Sequence, residues 1–384
     1  MRAKTTGNIV QRSPGSWRLR YDGPGDASGK RKQVTETVRG TRKDAERLLR
    51  DRLTAIEKGA YVPKQKETVT EYMQRWMDSY VSTNTTVRTQ QGYQGNIKRY
   101  LVPAIGGVPL QGLTARHIQR MYASMLERGL SARTVVHTHR VLSEALSHAV
   151  KWGVLTRNVA DATTPPRPQR RDLAMWDART INQFLEVSNE SRFHDFYHLA
   201  VLTGMRRSEL AGLQWESVDL VRRKLSVVST LLPILGKGLV KGQPKTGKSR
   251  RAIALSPDAV SLLHSIRGRQ IEQRLAAGGA WQNTGYVFSQ SDGTPVNPDK
   301  VSVDFSYIVR KAGLPQLTLH GLRHAHATLL LTAGVHLKVV SERLGHSNIA
   351  ITADTYSHVL PGLQEEAALA LDQRLASGRD PNTN

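Results

Sequence analysis

The chain has 384 residues, long enough for two or three domains with hydrophobic cores of their own. Its 55 Lys and Arg against 32 Asp and Glu give a net charge of +23, which favours a polyanionic partner, nucleic acid before a membrane surface. The absence of cysteine excludes disulfides and thiolate metal sites, and the absence of an apolar leader or of a run of about 18 apolar residues predicts a soluble, cytoplasmic protein.

The first 64 residues, with 16 Lys and Arg against 7 Asp and Glu, predict a small basic sheet packed on one helix. In SWRLRYDG, apolar residues alternate with Arg18 and Arg20, so a strand here has one apolar and one basic face. GKRKQVTETV, which contains Lys32, predicts another basic strand, and Thr41 and Asp44 open a helix at capping-box spacing. These basic residues either form a solvated face or belong to a sheet that enters a DNA groove. The placement of the arginines opposite the apolar face favours insertion into the groove.

Residues 65 to 162 show helical spacing throughout. Thr68 and Glu71 fit another capping box, and apolar residues at helical spacing follow them, which predicts core packing. VRTQQGYQGNIKRYL, LTARHIQRMYASMLERG starting at Thr114, and LSARTVVHTHRVLSEALSHAVKWG starting at Ser131 predict further helices, so a four-helix domain results. TTPPRPQRRD, residues 163–172, has no apolar period and is a linker candidate. Basic residues of the helices are candidate phosphate contacts: Arg88, Lys98, Arg99, Arg133 and Arg140.

The segment after the linker combines a glycine turn, basic residues and predicted strands. In TGMRRSEL, Glu209 lies three residues after Arg206, where its carboxylate either braces the guanidinium or forms an ordinary surface ion pair. KLSVVSTLL and RRAIAL predict strands around a turn near Gly247, in a lysine-rich stretch that holds Lys245. GYVFSQSDGTPVNPDKVSVDFSYIVRKAGL predicts a strand, a turn and a helix.

HGLRHAHATLLLTAGVHLKVVSERLGHSNIAITADTYSHV predicts three short helices. Gly334 and Gly345 end the first two, and Ser347 is the expected N-cap of the third. His320 and Arg323 share one helix face and can bind one small anionic group, such as a phosphate.

HGLRH followed by LGHSNIAITADTYSHV resembles the carboxy-terminal signature of the tyrosine recombinases, the phage integrase family, in residue types, order and spacing. The resemblance extends upstream to TGMRRSEL and to the lysine of PKTGK. It implies a catalytic set made of Arg206, Lys245, His320, Arg323, His346 and Tyr356.

By this resemblance, Tyr356 attacks the scissile phosphorus while the two arginines hold the non-bridging oxygens. His320 would accept the phenolic proton, His346 would donate to a phosphate oxygen, and Lys245 would protonate the leaving 5′ oxygen. Glu209 would support Arg206, whereas Arg207 is expected to point outward. Three other lysines, Lys248, Lys237 and Lys241, are rival candidates for the role of Lys245. His324 and His326 are expected to serve in helix packing or support. Tyr286 and Tyr307 lie outside the motif and are not candidate nucleophiles.

The resemblance also implies the domain plan. An arm-type DNA-binding domain would occupy 1–64, a helical core-binding domain 65–162, the linker 163–172 and the catalytic domain 173–384. The fold class is then α+β multidomain, with a small N-terminal three-stranded sheet plus helix, an all-α core-binding domain, and a mainly α catalytic domain with a small β-sheet. The expected DNA contacts are Arg18, Arg20, Lys32, Arg88, Lys98 and Arg133.

The implied function is that of a site-specific recombinase, the integrase of a phage or other mobile element, acting through a 3′-phosphotyrosyl intermediate without metal or cofactor. Its implied partners are double-stranded DNA at core-type and arm-type sites and a homotetramer on DNA, with an excisionase and a host DNA-bending protein as further candidates; no membrane is expected. Two alternatives stay open. One is a type IB topoisomerase-like enzyme that relaxes DNA, and the other is a non-catalytic DNA-binding regulator on the same scaffold.

The apolar stripe of the tail generates the first prediction. Leu363, Ala367, Leu371 and Leu375 recur every four residues in LQEEAALALDQRLASG and require a docking surface, which the resemblance places on a neighbouring protomer. Deleting residues 363–384 should therefore impair strand exchange more than DNA binding, measured by recombination and gel-shift assays on one preparation. Equal loss of both activities would contradict the prediction.

Overall fold

A computed structural model describes residues 7–25, 31–59, 61–169, 175–244, 249–356, 368–369 and 371–375. Lys245, Leu363, Ala367 and the end of the predicted linker lie outside the described residues. The chain divides into two compact units, residues 1–170 and 171–384. Among the described helices, each is too short or too polar to cross a bilayer.

The amino-terminal module is a three-stranded antiparallel sheet packed on one helix, which confirms the predicted architecture. In sheet order its elements are β1 (Gly7–Ser13), β2 (Ser16–Gly25) and β3 (Arg31–Arg39), followed by α1 (Arg42–Glu57). Leu19 and Tyr21 of β2 are buried in one cluster with Ala45 and Leu49 of α1. The alternation of side chains along β2 therefore leaves its arginines on the open face.

This open face is basic and polar. Arg18 lies between Val10 of β1 and Thr37 of β3, the residues that pair with it across the strands. Arg20 and Lys32 are exposed, and Arg18 is half-buried. Arg18 and Arg20 are thus available on the open face, whereas Lys32 shares the strand alternation of Val34 and Val38, which pack on the helix side.

The rest of the first unit is helical, and two of its helices are interrupted by a turn of π-helix. Its elements are α2 (Val69–Trp76), α3 (Ser82–Asn84), α4 (Val87–Asn96), α5 (Val102–Ile105), α6 (Ala115–Glu127) and α7 (Ala132–Lys151). The π-helical turns Met77–Val81 and Ile97–Leu101 join α2 to α3 and α4 to α5. The six elements therefore form four continuous helical rods, as the sequence predicts.

Side-chain caps set the helix starts. Thr41, Thr68, Thr114 and Ser131 are N-caps, each at the position the sequence predicts. Thr68 Oγ1 accepts from the Glu71 backbone N–H, and the Glu71 carboxylate accepts from the Thr68 N–H at 2.7 Å. Such bonds satisfy backbone N–H groups that a helix end leaves unpaired, so they fix where the helix begins.

The second unit is mainly helical with two small sheets. Its elements are α8 (Ala178–Val187), α9 (His194–Thr203), α10 (Arg207–Ala211), β4 (Val218–Asp219), β5 (Lys224–Val227), β6 (Thr230–Ile234), β7 (Gly238–Gly242), β8 (Arg251–Ala254), α11 (Pro257–Ala277), α12 (Pro298–Lys311), α13 (Leu319–Thr332), α14 (Leu337–Leu344) and α15 (Ile349–Tyr356). One sheet has the order β4-β5-β8, and β6 and β7 form a separate hairpin.

The strand prediction needs two corrections here. The strands β5 and β8 pair directly, with Val227 opposite Arg251, but they are not joined by a simple turn. The hairpin β6–β7 lies between them in the chain, because Gly236 and Gly238, with φ of 76° and 71°, provide a turn of their own. The strand predicted in GYVFSQ is also wrong, since this segment forms isolated bridges such as that of Gln214 with Tyr286.

Two local expectations also fail. Helix α15 begins at Ile349, and Asn348 Oδ1 accepts from the Ala350 N–H at 3.1 Å, so the N-cap is one residue later than Ser347. Arg207 does not point outward. It pairs with Asp299 of α12 at 2.9 Å because α10 packs beside that helix.

An aromatic core fixes the helix that carries the first part of the catalytic motif. The rings of Trp176 and Phe184 lie 5.3 Å apart, and those of Phe184 and Phe305 lie 4.9 Å apart. Leu322 of α13 is fully buried in the same core. Each such side chain contributes roughly 1.5–3 kcal/mol, so α13 has a firm position from which to present Arg323.

The open face of the amino-terminal sheet generates a prediction. Replacing Arg18 and Arg20 together by Ala should weaken binding to distal arm-type DNA sites and lower the salt dependence of that binding, because phosphate contacts release counterions. Titrations at several salt concentrations measure both effects. The matched control is Arg42→Ala with Arg47→Ala on α1, and unchanged arm-site affinity in the first variant would refute the sheet-in-groove interpretation.

Candidate active site

Backbone turns of the second unit bring four segments of the chain together. Helix α9 ends at Gly204, with φ 65°, directly before Arg206 and α10, and α14 ends at Gly345, with φ 66°, directly before His346. At these positive φ values glycine is favoured, because other residues would place Cβ against the backbone. Helices α13 and α15 complete the group.

Arg206 is held by a buried carboxylate. Its Nη1 donates to Glu209 Oε1 at 2.7 Å, its backbone N–H donates to Glu209 Oε2 at 2.9 Å, and its Nη2 donates to the carbonyl of Gly345 at 3.3 Å. The Glu209 side chain is 2% exposed and that of Arg206 is 34% exposed. The Arg206 guanidinium therefore remains partly exposed to a ligand, while its bonds to Glu209 and Gly345 fix its orientation.

Arg323 is a buried arginine of the site. It donates from Nη1 to Gly204 O at 2.8 Å and from Nη2 to Leu344 O at 2.5 Å. Burial, and the positive charge of Arg206 after it, lower the pKa of Arg323 to about 9. The guanidinium remains charged at neutral pH, and an anion beside it would relieve the repulsion.

His320 and His346 are close enough to these arginines to feel their charge. The pKa of each falls to about 4, first because neighbouring atoms displace water and then because of nearby positive charge that includes Arg323 and Arg206. The His320 side chain still reaches solvent. His346 Nδ1 is hydrogen-bonded to Thr352 Oγ1 at 2.8 Å. Both imidazoles are neutral at pH 7 and can donate or accept a proton.

The Tyr356 hydroxyl is bonded to a different histidine from the one expected. It lies 2.8 Å from Nδ1 of His324, whereas His320, the predicted acceptor, lies one helical turn away on α13. Burial raises the pKa of Tyr356 to about 12, although the charge of Arg323 acts in the opposite direction, so the phenol is protonated at pH 7. Burial and Arg323 lower the pKa of His324, which keeps its ring neutral.

Two arginines that sequence reasoning missed complete the cluster. Arg251 of β8 donates to both oxygens of Glu209, and Arg343 of α14 donates from Nε to His326 Nε2 at 3.1 Å. The second contact agrees with the packing role expected for His326. A signal for Arg251 was present, because it lies two residues before the core residue Ile253 and so shares the inward face of the strand.

The remaining predicted residues do not lie in this cluster. Lys245 and its rival Lys248 lie outside the described residues. Lys237 is exposed at the hairpin between β6 and β7, and Lys241 donates to Gln214. Tyr307 is 57% exposed on α12.

The DNA contacts predicted in the helical part of the first unit are all exposed. Arg88 lies in α4, Lys98 in the π-helical turn after α4, and Arg133 in the first turn of α7. Arg99 and Arg133 line an open groove of about 420 Å³ beside Gly92 and Gly95.

Comparison with known proteins gives consistent relatives. Residues 172–362 match the model of the phage integrase family, and residues 68–126 match that of the phage integrase N-terminal SAM-like domain. A tyrosine recombinase XerC-like protein of Caldanaerobacter subterraneus subsp. tengcongensis is 30% identical over 350 residues, which cover 86% of this chain and 90% of that protein.

Solved structures with the same fold include two integrases. The Tn1549 transposon integrase in complex with a circular intermediate DNA has a TM-score of 0.68 and 22% identity, over 80% of this chain and 99% of that one. A lambda integrase tetramer bound to a Holliday junction has a TM-score of 0.60 and 20% identity, over 90% of this chain and 94% of that one.

The turn at Gly345 generates a stability prediction. A Cβ at Gly345 would lie 2.9 Å from Arg251 Cδ, whereas a Cβ at Gly334, which has φ 78°, would meet nothing within 4 Å. Both alanine variants carry the left-handed backbone penalty of roughly 1–2 kcal/mol, so Gly334→Ala is the matched control. Gly345→Ala should lower the thermal unfolding midpoint of the catalytic unit further than Gly334→Ala does, and equal shifts would mean that the Arg251 contact is unimportant.

Proposed function

The chain belongs to the phage integrase family of tyrosine recombinases, and we propose that Tyr356 is the nucleophile with which it cuts and rejoins DNA. The protein is a site-specific recombinase that acts through a 3′-phosphotyrosyl intermediate, and its role is the integration or excision of a phage or mobile element. The observation that supports the assignment of Tyr356 is the proximity of Arg206, His320, Arg323 and His346: burial and the two arginines lower the pKa of both histidines, and the charge of Arg323 also acts on Tyr356.

We propose that the arginines stabilise the transition state by charge. A phosphodiester is already anionic and gains negative charge as the phenolic oxygen approaches. The partly exposed Arg206 and the buried Arg323 can donate charge-assisted hydrogen bonds to the non-bridging oxygens. His346, whose Nδ1 is occupied by Thr352, would donate from its other ring nitrogen to a phosphate oxygen.

The proton transfers follow from the neutral state of the imidazoles. As the Tyr356 oxygen forms its bond to phosphorus, its proton passes to a histidine, and His324 is the ring within hydrogen-bond distance. The bond from phosphorus to the 5′ oxygen breaks, and we propose that Lys245 donates the proton to that leaving group. Attack of a 5′ hydroxyl on the phosphotyrosine reverses these steps, so rejoining needs no nucleotide cofactor.

DNA is the partner of this enzyme, and the finer details of binding are proposals. We propose arm-type contacts by Arg18, Arg20 and Lys32 of domain 1–64 and core-type contacts by Arg88, Lys98 and Arg133 of domain 65–162, with residues 163–172 as linker and 173–384 as catalytic domain. A homotetramer on DNA is proposed by analogy with the lambda integrase tetramer. An excisionase, a host DNA-bending protein and a cytoplasmic location remain predictions.

The two alternative functions gain no support. The similar proteins carry the names recombinase and integrase, and none described above is a topoisomerase or a regulator. A DNA-relaxation assay without a recombination site would separate the topoisomerase alternative from the proposed function.

Replacement of the nucleophile tests the proposal. Tyr356→Phe removes the attacking oxygen, so it should abolish covalent trapping on a nicked DNA substrate and leave DNA affinity unchanged. Denaturing gels measure the trapped complex, and gel shifts measure the affinity. Tyr307→Phe, at an exposed tyrosine of α12, is the control and should trap DNA like the parent protein; persistent trapping by Tyr356→Phe would refute the assignment.

A further inference from the structure

Arg251 connects three separate segments of the catalytic unit. Its Nη2 donates to Glu209 Oε2 at 3.0 Å and its Nη1 to Glu209 Oε1 at 3.3 Å. Its Nε donates to the carbonyl of Arg343 at 2.6 Å, and its Nη1 also donates to the carbonyl of Ser249 at 3.1 Å. One side chain thus links β8 to the helix α10 segment and to the end of α14.

These contacts direct the guanidinium inward. The Arg251 side chain is 6% exposed, against 34% for Arg206, and its hydrogen bonds run to a buried carboxylate and to backbone carbonyls. A phosphate approaching from solvent would meet Arg206 before Arg251. Four of the five guanidinium N–H groups of Arg251 are used by these bonds, whereas the bonds of Arg323 use only two. Arg251 is therefore placed to orient other groups and not to bind the phosphate.

Glu209 is the first group that Arg251 controls. Burial alone would raise the pKa of this carboxyl, but the hydrogen bonds and charges of Arg251 and Arg206 offset burial and bring the pKa below its usual value. Glu209 accepts four hydrogen bonds from Arg206 and Arg251, which matches the acceptor capacity of an ionised carboxylate; a protonated carboxyl would lose one acceptor site and the negative charge. Arg206 therefore depends on Arg251 through a shared partner.

The turn before His346 is the second feature that Arg251 supports. The Arg251 stem passes so close to Gly345 that a Cβ there would lie 2.9 Å from Cδ and 3.0 Å from Nη1. The Gly345 carbonyl accepts from Arg206, and the next residue is His346. Arg251 thus supports from below the turn that directs His346.

We propose that Arg251 is a positioning residue for DNA cleavage, which keeps Glu209 ionised and supports the Gly345 turn so that Arg206 and His346 face the scissile phosphate. This inference rests on the proposed function, since the phosphate is that of the cleavage reaction. It assigns Arg251 an effect on the cleavage rate and a much smaller effect on DNA affinity.

The inference has a pH signature. The groups that face Glu209 are Arg251 of β8, Arg206 before α10, and His320 and Arg323 of α13. Removing Arg251 removes the largest influence that lowers the Glu209 pKa and leaves burial in place, so the pKa rises. The carboxylate would then be lost as pH falls through this raised pKa, and the cleavage rate would fall with it.

The test is a set of variants measured in single-turnover trapping on nicked DNA between pH 5.5 and 8.5. The cleavage rate of Arg251→Gln relative to the parent should fall as the pH is lowered, because loss of Arg251 raises the pKa of the Glu209 carboxyl. In a Glu209→Gln background, where the titrating group is gone, the same Arg251 substitution should give a pH-independent ratio. Arg251→Lys keeps a positive charge beside Glu209, so its cleavage rate relative to the parent should not vary with pH.

The matched control is Arg250→Gln, at the neighbouring exposed arginine whose Nη2 donates to Gln243; it should keep the parent pH profile. DNA affinity and the unfolding midpoint are measured on every protein. Two results would overturn the inference. One is a cleavage rate of Arg251→Gln, relative to the parent, that does not change with pH. The other is a loss of cleavage that only matches the loss of DNA affinity or of thermal stability. If the parent protein itself forms no complex through Tyr356, the proposed function fails and not this inference alone.

Discussion

The catalytic unit depends on one buried carboxylate shared between two arginines. Glu209 accepts hydrogen bonds from Arg206 and Arg251 and offsets a repulsion that would amount to about 4 kcal/mol for charges 4 Å apart at an effective dielectric constant of 20. Arg323 and Arg343 add further charge, which backbone carbonyls solvate. The folded unit thus holds an excess of positive charge around Glu209, and a bound phosphate would supply the missing counter-charge.

The same surplus determines the state of the acid–base groups. His320 and His346 are neutral because burial and then the neighbouring positive charges lower the pKa of both, and the neutral form can both donate and accept. Tyr356 keeps its proton because burial outweighs the charge of Arg323. Tyr356 is therefore protonated in the free protein, and the positive charge of the arginines is in place before DNA arrives.

Local chemistry made much of the fold predictable from the sequence. The caps at Thr68 and Thr114 and the stop at Gly345 depend on residues a few positions away, and the sequence places each of them correctly. The partners of Arg251 and His324 depend on contacts between segments far apart in the chain, for which periodicity provides no information. The motif order indicated a common site for Arg206, Arg323 and His346, but not that the strand residue Arg251 would share Glu209.

Tyr356 sits in a small apolar cluster with Leu331, Val340 and Leu344, separate from the aromatic core that anchors α13. Withdrawing one aromatic ring from that cluster costs roughly 1.5–3 kcal/mol and leaves the main core intact. The segment that bears Tyr356 can therefore move out of its small cluster without disturbing the core that holds α13 and Arg323.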